Sequence, residues 1–153
     1  MKYIKLTHGK RAMVDNEDYE RLSKHRWSFR IYAIRSIQKN GKQRVIYMHR
    51  EVLGRRIKEG LYTDHINRNR LDNRKKNLRV VTYMQNNCNT TKKAKNKSGY
   101  KGVSWDKLLN KWRVQIGANK KNHYIGVFTS RLKAYKAYCE AVKQYHGEYG
   151  RVK

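Results

Sequence analysis

An aspartate and a histidine stand side by side at Asp64-His65, in a stretch otherwise dominated by cations. Between residues 60 and 90 the acids are Asp64 and Asp72, set among Arg68, Arg70, Arg74, Lys75, Lys76 and Arg79. A carboxylate aimed at a phosphate is repulsive, and becomes useful when a divalent cation lies between them. Asp64 together with a neutral amide oxygen offers two hard ligands and leaves positions for phosphate and water. That suits Mg²⁺ (or Mn²⁺), which keeps waters and takes few protein ligands, and which polarises a phosphate and stabilises its leaving oxygen. Hydrolysis of a phosphodiester also needs a base. Adjacent side chains on a strand point to opposite sides, so Asp64 and His65 reach different sides of one phosphate. A free imidazole titrates near about 6.5, which suits general-base work near neutrality. Taken alone, Asp64-His65 also reads as a surface turn with an incidental histidine. The wider pattern is more specific: Asp64-His65-Ile66-Asn67, Leu71-Asp72-Asn73, Asn77-Leu78-Arg79-Val80-Val81-Thr82 and Gln85-Asn86-Asn87.

The elements that must position these residues follow from periodicity. Leu61 to Ile66 reads as a short strand, 67–77 as a polar basic loop, Leu78 to Val81 as a second strand, and Thr82 as the cap of a helix to about Thr91. Upstream, Tyr3 to Val14 reads as a hairpin turning at His8-Gly9, and Asp15 as the cap of a short helix with Tyr19 and Leu22 on one face. Trp27 to Ile34 reads as a strand that returns through Asn40-Gly41 to Arg44–Met48, followed by a short helix from His49 to Ile57. Residues 92–97 are charged and lack a large apolar side chain, hence a basic linker. Beyond it, Tyr100 to Trp105, Lys111 to Gly117 and Tyr124 to Phe128 alternate like three antiparallel strands. Ser130 then caps a helix whose face carries Ala134, Ala137, Tyr138, Ala141, Val142 and Tyr145, stopped by Gly147.

Composition bounds the partner. Lys and Arg number 38 against 11 Asp and Glu, a formal charge of +27 over 153 residues. Residues 1–90 carry 22 basic and 8 acidic side chains, and residues 91–153 carry 16 and 3. Both halves therefore suit a polyanion. No basic amphipathic helix, lipidation signal, leader or membrane-spanning run is read, so the expectation is no membrane partner and an intracellular, unsecreted protein of a bacterial or phage-infected cell. Cys88 and Cys139 form no zinc spacing, and no zinc and no small-molecule cofactor are expected.

Over roughly residues 45–90 the chain resembles the HNH nuclease family, of phage and homing type, on Met48-His49-Arg50, DHIN, LDN, NLRVVT and QNN. The resemblance implies a ββα-metal unit binding one Mg²⁺ or Mn²⁺. It makes His65 the general base, Asp64 and Asn86 the metal ligands, and Asn77 the loop brace, with Asn73 the alternative. It also implies 5′-phosphate and 3′-hydroxyl products. His49 is read as structural, and Arg79 as a phosphate contact or a surface charge.

Residues from Ser98 onward resemble the AP2 DNA-binding domain, on SGYKGV, WRVQI, YIGVF and the alanines of 134–141. Alternation turns Trp112, Val114 and Ile116 to the helix and Lys111, Arg113 and Gln115 to DNA, and the resemblance adds Lys101, Ser104 and Tyr124.

The expectation is an α+β chain of two small domains. An HNH nuclease domain spans 1–91 (core 45–91), with extra β-hairpins. After the linker, an AP2-like domain spans 98–153, a three-stranded antiparallel sheet on one helix. The expected function is metal-dependent hydrolysis of double-stranded DNA by a nicking or homing endonuclease, monomeric or weakly dimeric. The alternatives are a non-catalytic DNA-binding regulator and an RNA-binding protein. A sheet built for the major groove argues against the latter.

Overall fold

The structure is a computed structural model, and it describes residues 1–54, 58–90 and 96–152. The chain forms two compact units, Met1–Tyr83 and Met84–Lys153.

In the first unit, β1 (Lys2–Lys5) pairs antiparallel with β2 (Arg11–Val14). His8 and Gly9 take the positive φ their turn demands. Helix α1 (Asn16–Ser23) follows. Asp15 precedes it as expected, but its side chain makes no cap bond there. Its carboxylate instead accepts the backbone N–H of Lys75 at 2.8 Å, a distant tie that displaces the local one.

The single strand expected from Trp27 to Ile34 is two strands, β3 (Ser28–Phe29) and β4 (Ala33–Lys39). The chain leaves the ladder between them in a tight turn closed by Arg30 N–H to Tyr32 C=O at 3.2 Å. Strand β5 (Lys42–Tyr47) pairs with β4 through the Asn40-Gly41 turn, whose two residues have φ of 52 and 68°. That is the geometry a two-residue primed hairpin requires. Met48, expected to end the strand, opens helix α2 (Met48–Leu53), stopped at Gly54; the expected extension to Ile57 lies outside the described residues.

Strands β6 (Tyr62–His65) and β7 (Leu78–Val81) pair antiparallel, with Asp64 opposite Arg79 and His65 opposite Leu78. The long loop between them runs onto β2. Met13 N–H donates to Leu71 C=O at 2.7 Å, and Asn73 N–H donates to Met13 C=O at 2.8 Å. One core, centred on Ala12, Leu22, Trp27 and Met48, serves the hairpin, both helices and β7. The first 45 residues are thus the wall against which the loop is set.

Helix α3 (Tyr83–Cys88) begins at the last residue of the first unit and ends short of the expected Thr91, since Asn89 and Thr90 are no longer helical; most of the expected linker lies outside the described residues. The second unit is a sheet of order β10-β9-β8, made of β8 (Val103–Asp106), β9 (Lys111–Ala118) and β10 (Lys121–Phe128), packed on helix α4 (Arg131–His146). Val103, Val114 and Ile116 meet Ala134, Tyr138, Ala141 and Val142 in its core. Tyr145, expected on this face, is 36% exposed. Ser130 caps α4 through Lys133 N–H at 3.4 Å, and Gly147 ends it at φ 52°. Gly102 is required twice over: its φ is +72°, and a Cβ there would collide with the Tyr138 ring and lie 2.8 Å from the Gln115 carbonyl oxygen.

Candidate active site

The loop between β6 and β7 closes on asparagines. Asn77, buried at the end of a short 3-10 turn (Lys75–Asn77), accepts Asn67 N–H at 3.0 Å and donates to Asp72 C=O at 2.8 Å. Asn67 in turn donates to the Asp72 carboxylate at 2.9 Å. Asp72 is fully buried and takes two bonds from the Arg74 guanidinium, at 2.7 and 2.6 Å. Those bonds hold its carboxyl below the usual carboxylate range against the opposing effect of burial. A buried carboxylate without such partners would be costly. Here it is the loop's internal anchor, a role the sequence reading did not assign.

Asn73 is buried beside it and does something different. Its amide nitrogen faces the Leu71 carbonyl at 3.4 Å and the Met48 sulfur at 3.5 Å. Its amide oxygen therefore faces His65 Nε2, at 3.4 Å. An amide oxygen only accepts, so this contact places the imidazole proton on Nε2 and leaves Nδ1 as the basic nitrogen. Burial pushes His65 below its ordinary pKa, while the Asn73 bond and the charges of Asp64 and Asp72 pull the other way. The imidazole is thus held neutral near neutrality, the state a proton acceptor needs.

His49 lies against His65. The two rings meet edge to face with centroids 5.2 Å apart, and Tyr32 packs on both, at 5.1 Å from His49 and 6.0 Å from His65. Tyr47 adds a contact to His49 at 5.4 Å, and the Arg70 guanidinium sits 5.2 Å above Tyr32. Burial, the neighbouring His65 and the Arg50 charge push His49 down to about 3. Its Nδ1 is buried with no hydrogen-bond partner among the described residues. Read in sequence as structural, His49 is the residue that backs the candidate base. The signal available was the Met48-His49-Arg50 motif, but nothing in spacing tied it to a residue 16 positions on.

Asp64 is buried, 6% exposed, and its Oδ2 accepts two bonds from Arg79, at 2.9 and 2.8 Å. Arg79, expected at a phosphate, is here the cross-strand partner of Asp64. A buried carboxylate next to a neutral imidazole suits a hard divalent cation by its chemistry, and such an ion would have to share the Asp64 carboxylate with Arg79 or displace it. Asn86, the expected second ligand, lies half-buried on α3 past the division after Tyr83, and so belongs to the second unit.

A separate acidic cluster, Asp15, Glu17 and Asp18, brings three ligand oxygens within 4.8 Å of one another and is a potential metal-binding group. Lys75 already lies in it, 2.6 Å from Glu17 and 3.4 Å from Asp18, and Arg21 lies 2.5 Å from Asp18. These cations balance much of the charge an ion would use.

In the second unit Ser104, Lys111, Gln115 and Tyr124 are exposed, while Val114 and Ile116 are buried and Trp112 packs on the same core. Two expected DNA contacts also have partners within the second unit. The Arg113 guanidinium pairs with Asp106, which lies on the same face of the sheet and was not weighed in the sequence. Lys101 Nζ donates to the carbonyls of Cys88 and Thr90, at 3.0 and 2.8 Å, and so ties the segment before the linker to the sheet.

Comparison with known proteins fits this geometry. The HNH endonuclease family profile matches residues 40–88, the span from the turn before β5 to the end of α3. Protein 3.8 of Escherichia phage T7 is 34% identical over 97 residues, covering 62% of this chain and 78% of that protein. The "Uncharacterized HNH endonuclease L560" of Acanthamoeba polyphaga mimivirus is 25% identical over 142 residues, covering 92% of this chain and 73% of that protein. No solved structure matches the chain. The chain carries an HNH-type endonuclease domain, and it belongs to the same family as the phage T7 protein. No described helix is long and apolar enough to cross a membrane.

Proposed function

We propose that this protein is a metal-dependent DNA endonuclease, a site-directed nicking or homing enzyme, that holds its target with an AP2-like second unit. The observation that carries the reading is a buried, neutral imidazole, His65, oriented by Asn73 and placed next in sequence to a carboxylate fixed by Arg79. His65 Nδ1 takes the proton from the attacking water. Asn73 fixes the tautomer, and His49 with Tyr32 prevents the ring from rotating and excludes water from its far side.

Asp64 is the metal ligand, and the family pattern supplies Asn86 as the second. When bound, Mg²⁺ or Mn²⁺ supplies Lewis-acid polarisation of the phosphate and charge for the departing 3′-oxygen. The reading of the second unit rests on its three-stranded sheet with one helix behind, its exposed Ser104, Lys111, Gln115 and Tyr124, and its excess of basic residues. Arg113 oriented by Asp106 is the candidate for reading a guanine edge.

The test is conversion of supercoiled plasmid to open circle. Wild type nicks with Mg²⁺ and stops with EDTA; Asp64→Ala abolishes nicking with Mg²⁺ and with Mn²⁺. Metal-independent nicking, or full activity in Asp64→Ala, would remove the assignment. A purely DNA-binding protein would shift the plasmid without nicking it.

A further inference from the structure

The turn between β8 and β9 presents two leucines to solvent. Leu108 is 93% exposed and Leu109 51% exposed. Turn positions ordinarily take Gly, Asn, Asp or Ser, and single exposed apolar residues are common. Here two adjacent large ones sit at the tip of a hairpin that is rigidly built. Asp106 Oδ1 accepts the N–H groups of Leu108 and Leu109 at 3.0 and 3.2 Å, and its other oxygen pairs with Arg113. Asn110 closes the turn at φ 48°. Below it, Trp105 and Trp112 pack edge to face at 5.0 Å. The leucines are thus held outward by a braced frame.

Lys107 and Lys111, both exposed, flank the pair. An apolar tip between ammonium groups selects its partner. A second copy of this chain carries the same positive charge and is repelled. Two side chains also bury far less than the roughly 1,200 Å² of a stable protein interface. A base step of duplex DNA needs only one or two apolar side chains as a wedge, and its phosphates meet the lysines.

We propose that Leu108 and Leu109 form a wedge that enters a base step of duplex DNA and kinks it, with Lys107 and Lys111 on the adjoining phosphates. This rests on the reading of the protein as a duplex-DNA binder. The kink places a specificity requirement on the target, because pyrimidine–purine steps unstack most easily.

The test uses the full chain and a duplex labelled at both ends for energy transfer. Wild type kinks the duplex by roughly 20–90°, the range of known wedges. Leu108→Ser with Leu109→Ser relaxes the bend and weakens binding about tenfold, while the salt dependence of binding is unchanged. Lys107→Ala does the reverse, lowering the salt slope and keeping the bend. Matching circular dichroism of the variants shows the fold retained. Wild type bound to an unbent duplex, or equal bending by the double-serine variant, would overturn the wedge alone. So would leucine-dependent dimerisation, or leucine-dependent binding to phosphatidylserine vesicles with DNA bending unaffected. Failure of wild type to bind duplex DNA at all would overturn both readings.

Discussion

His49 makes the first unit's stability depend on pH in a way that can be separated from its neighbours. Its imidazole titrates near 6.5 when free and at about 3 when folded, because it is buried among Tyr32, Tyr47 and His65 with the Arg50 charge nearby. Between those values the unfolded chain binds the proton and the folded chain does not. The folded pKa is the depressed one, so this contribution is complete above about pH 6.5 and shrinks as pH falls toward 3. Each pH unit in that window costs about 1.4 kcal/mol. Between pH 7.5 and 5, His49 alone should therefore remove about 2 kcal/mol of stability. His49→Phe keeps a flat ring against Tyr32 and His65 but cannot titrate. The measurement is urea unfolding followed by Trp27 emission, in a background of Trp105→Phe and Trp112→Phe. His65 contributes to both proteins and cancels in the difference. The expected result is a variant that loses about 2 kcal/mol less than its parent on acidification. Equal losses would show that His49 is not held neutral by burial, and would remove the packed-histidine account of the site.

Other outcomes follow from single contacts. Asn77→Ala cuts both bonds that close the loop and leaves the buried Asp72 C=O without its partner, while the Asn67 N–H can turn to water; denaturation should show a loss of about 1–3 kcal/mol, and wild-type stability would refute the brace. Asp72→Asn removes a carboxylate whose folded pKa is depressed, so its contribution exists above the unfolded pKa of about 4 and fades below it. The variant should be less stable than wild type at pH 7 and approach it near pH 3, as read by thermal melts; a difference constant across that range would contradict the Arg74 pairing. Gly102→Ala meets the Tyr138 ring at a positive φ and should destabilise the second unit by several kcal/mol, about 3 or more, with normal folding as the refuting result. Binding to random-sequence duplex should weaken steeply with salt, and a flat response would contradict electrostatic tethering by both units.

The family pattern was legible before the packing. Asp64-His65 and the asparagines stood out by their spacing, although acids among cations also serve as ion-pair partners, as Asp64 does with Arg79 and Asp72 with Arg74. The hairpins at His8-Gly9 and Asn40-Gly41 and the cap at Ser130 were legible because turn and cap chemistry is local. The contacts that surround His65 were not. Tyr32 reaches both histidines because the chain breaks away between Phe29 and Ala33, and an apolar run there looks like one strand. Asp15 looked like a cap because the competing donor, Lys75 N–H, comes from 60 residues on. Asp72 was passed over as one acid in a loop, although its burial and its Arg74 bonds make it the anchor. Arg113 looked like a free reader because its partner, Asp106, lies across the hairpin, and Lys101 because the carbonyls it ties come from the segment before the linker.

The central claim is that His65 removes a proton from water during the chemical step. Single-turnover nicking of supercoiled DNA at saturating Mg²⁺, comparing wild type with His65→Ala, addresses it directly. The account predicts a fall in the rate constant of roughly 10²–10⁴, with DNA binding by gel shift unchanged and no fall from Asn73→Asp comparable in size. A His65→Ala protein that nicks at the wild-type rate would contradict the account.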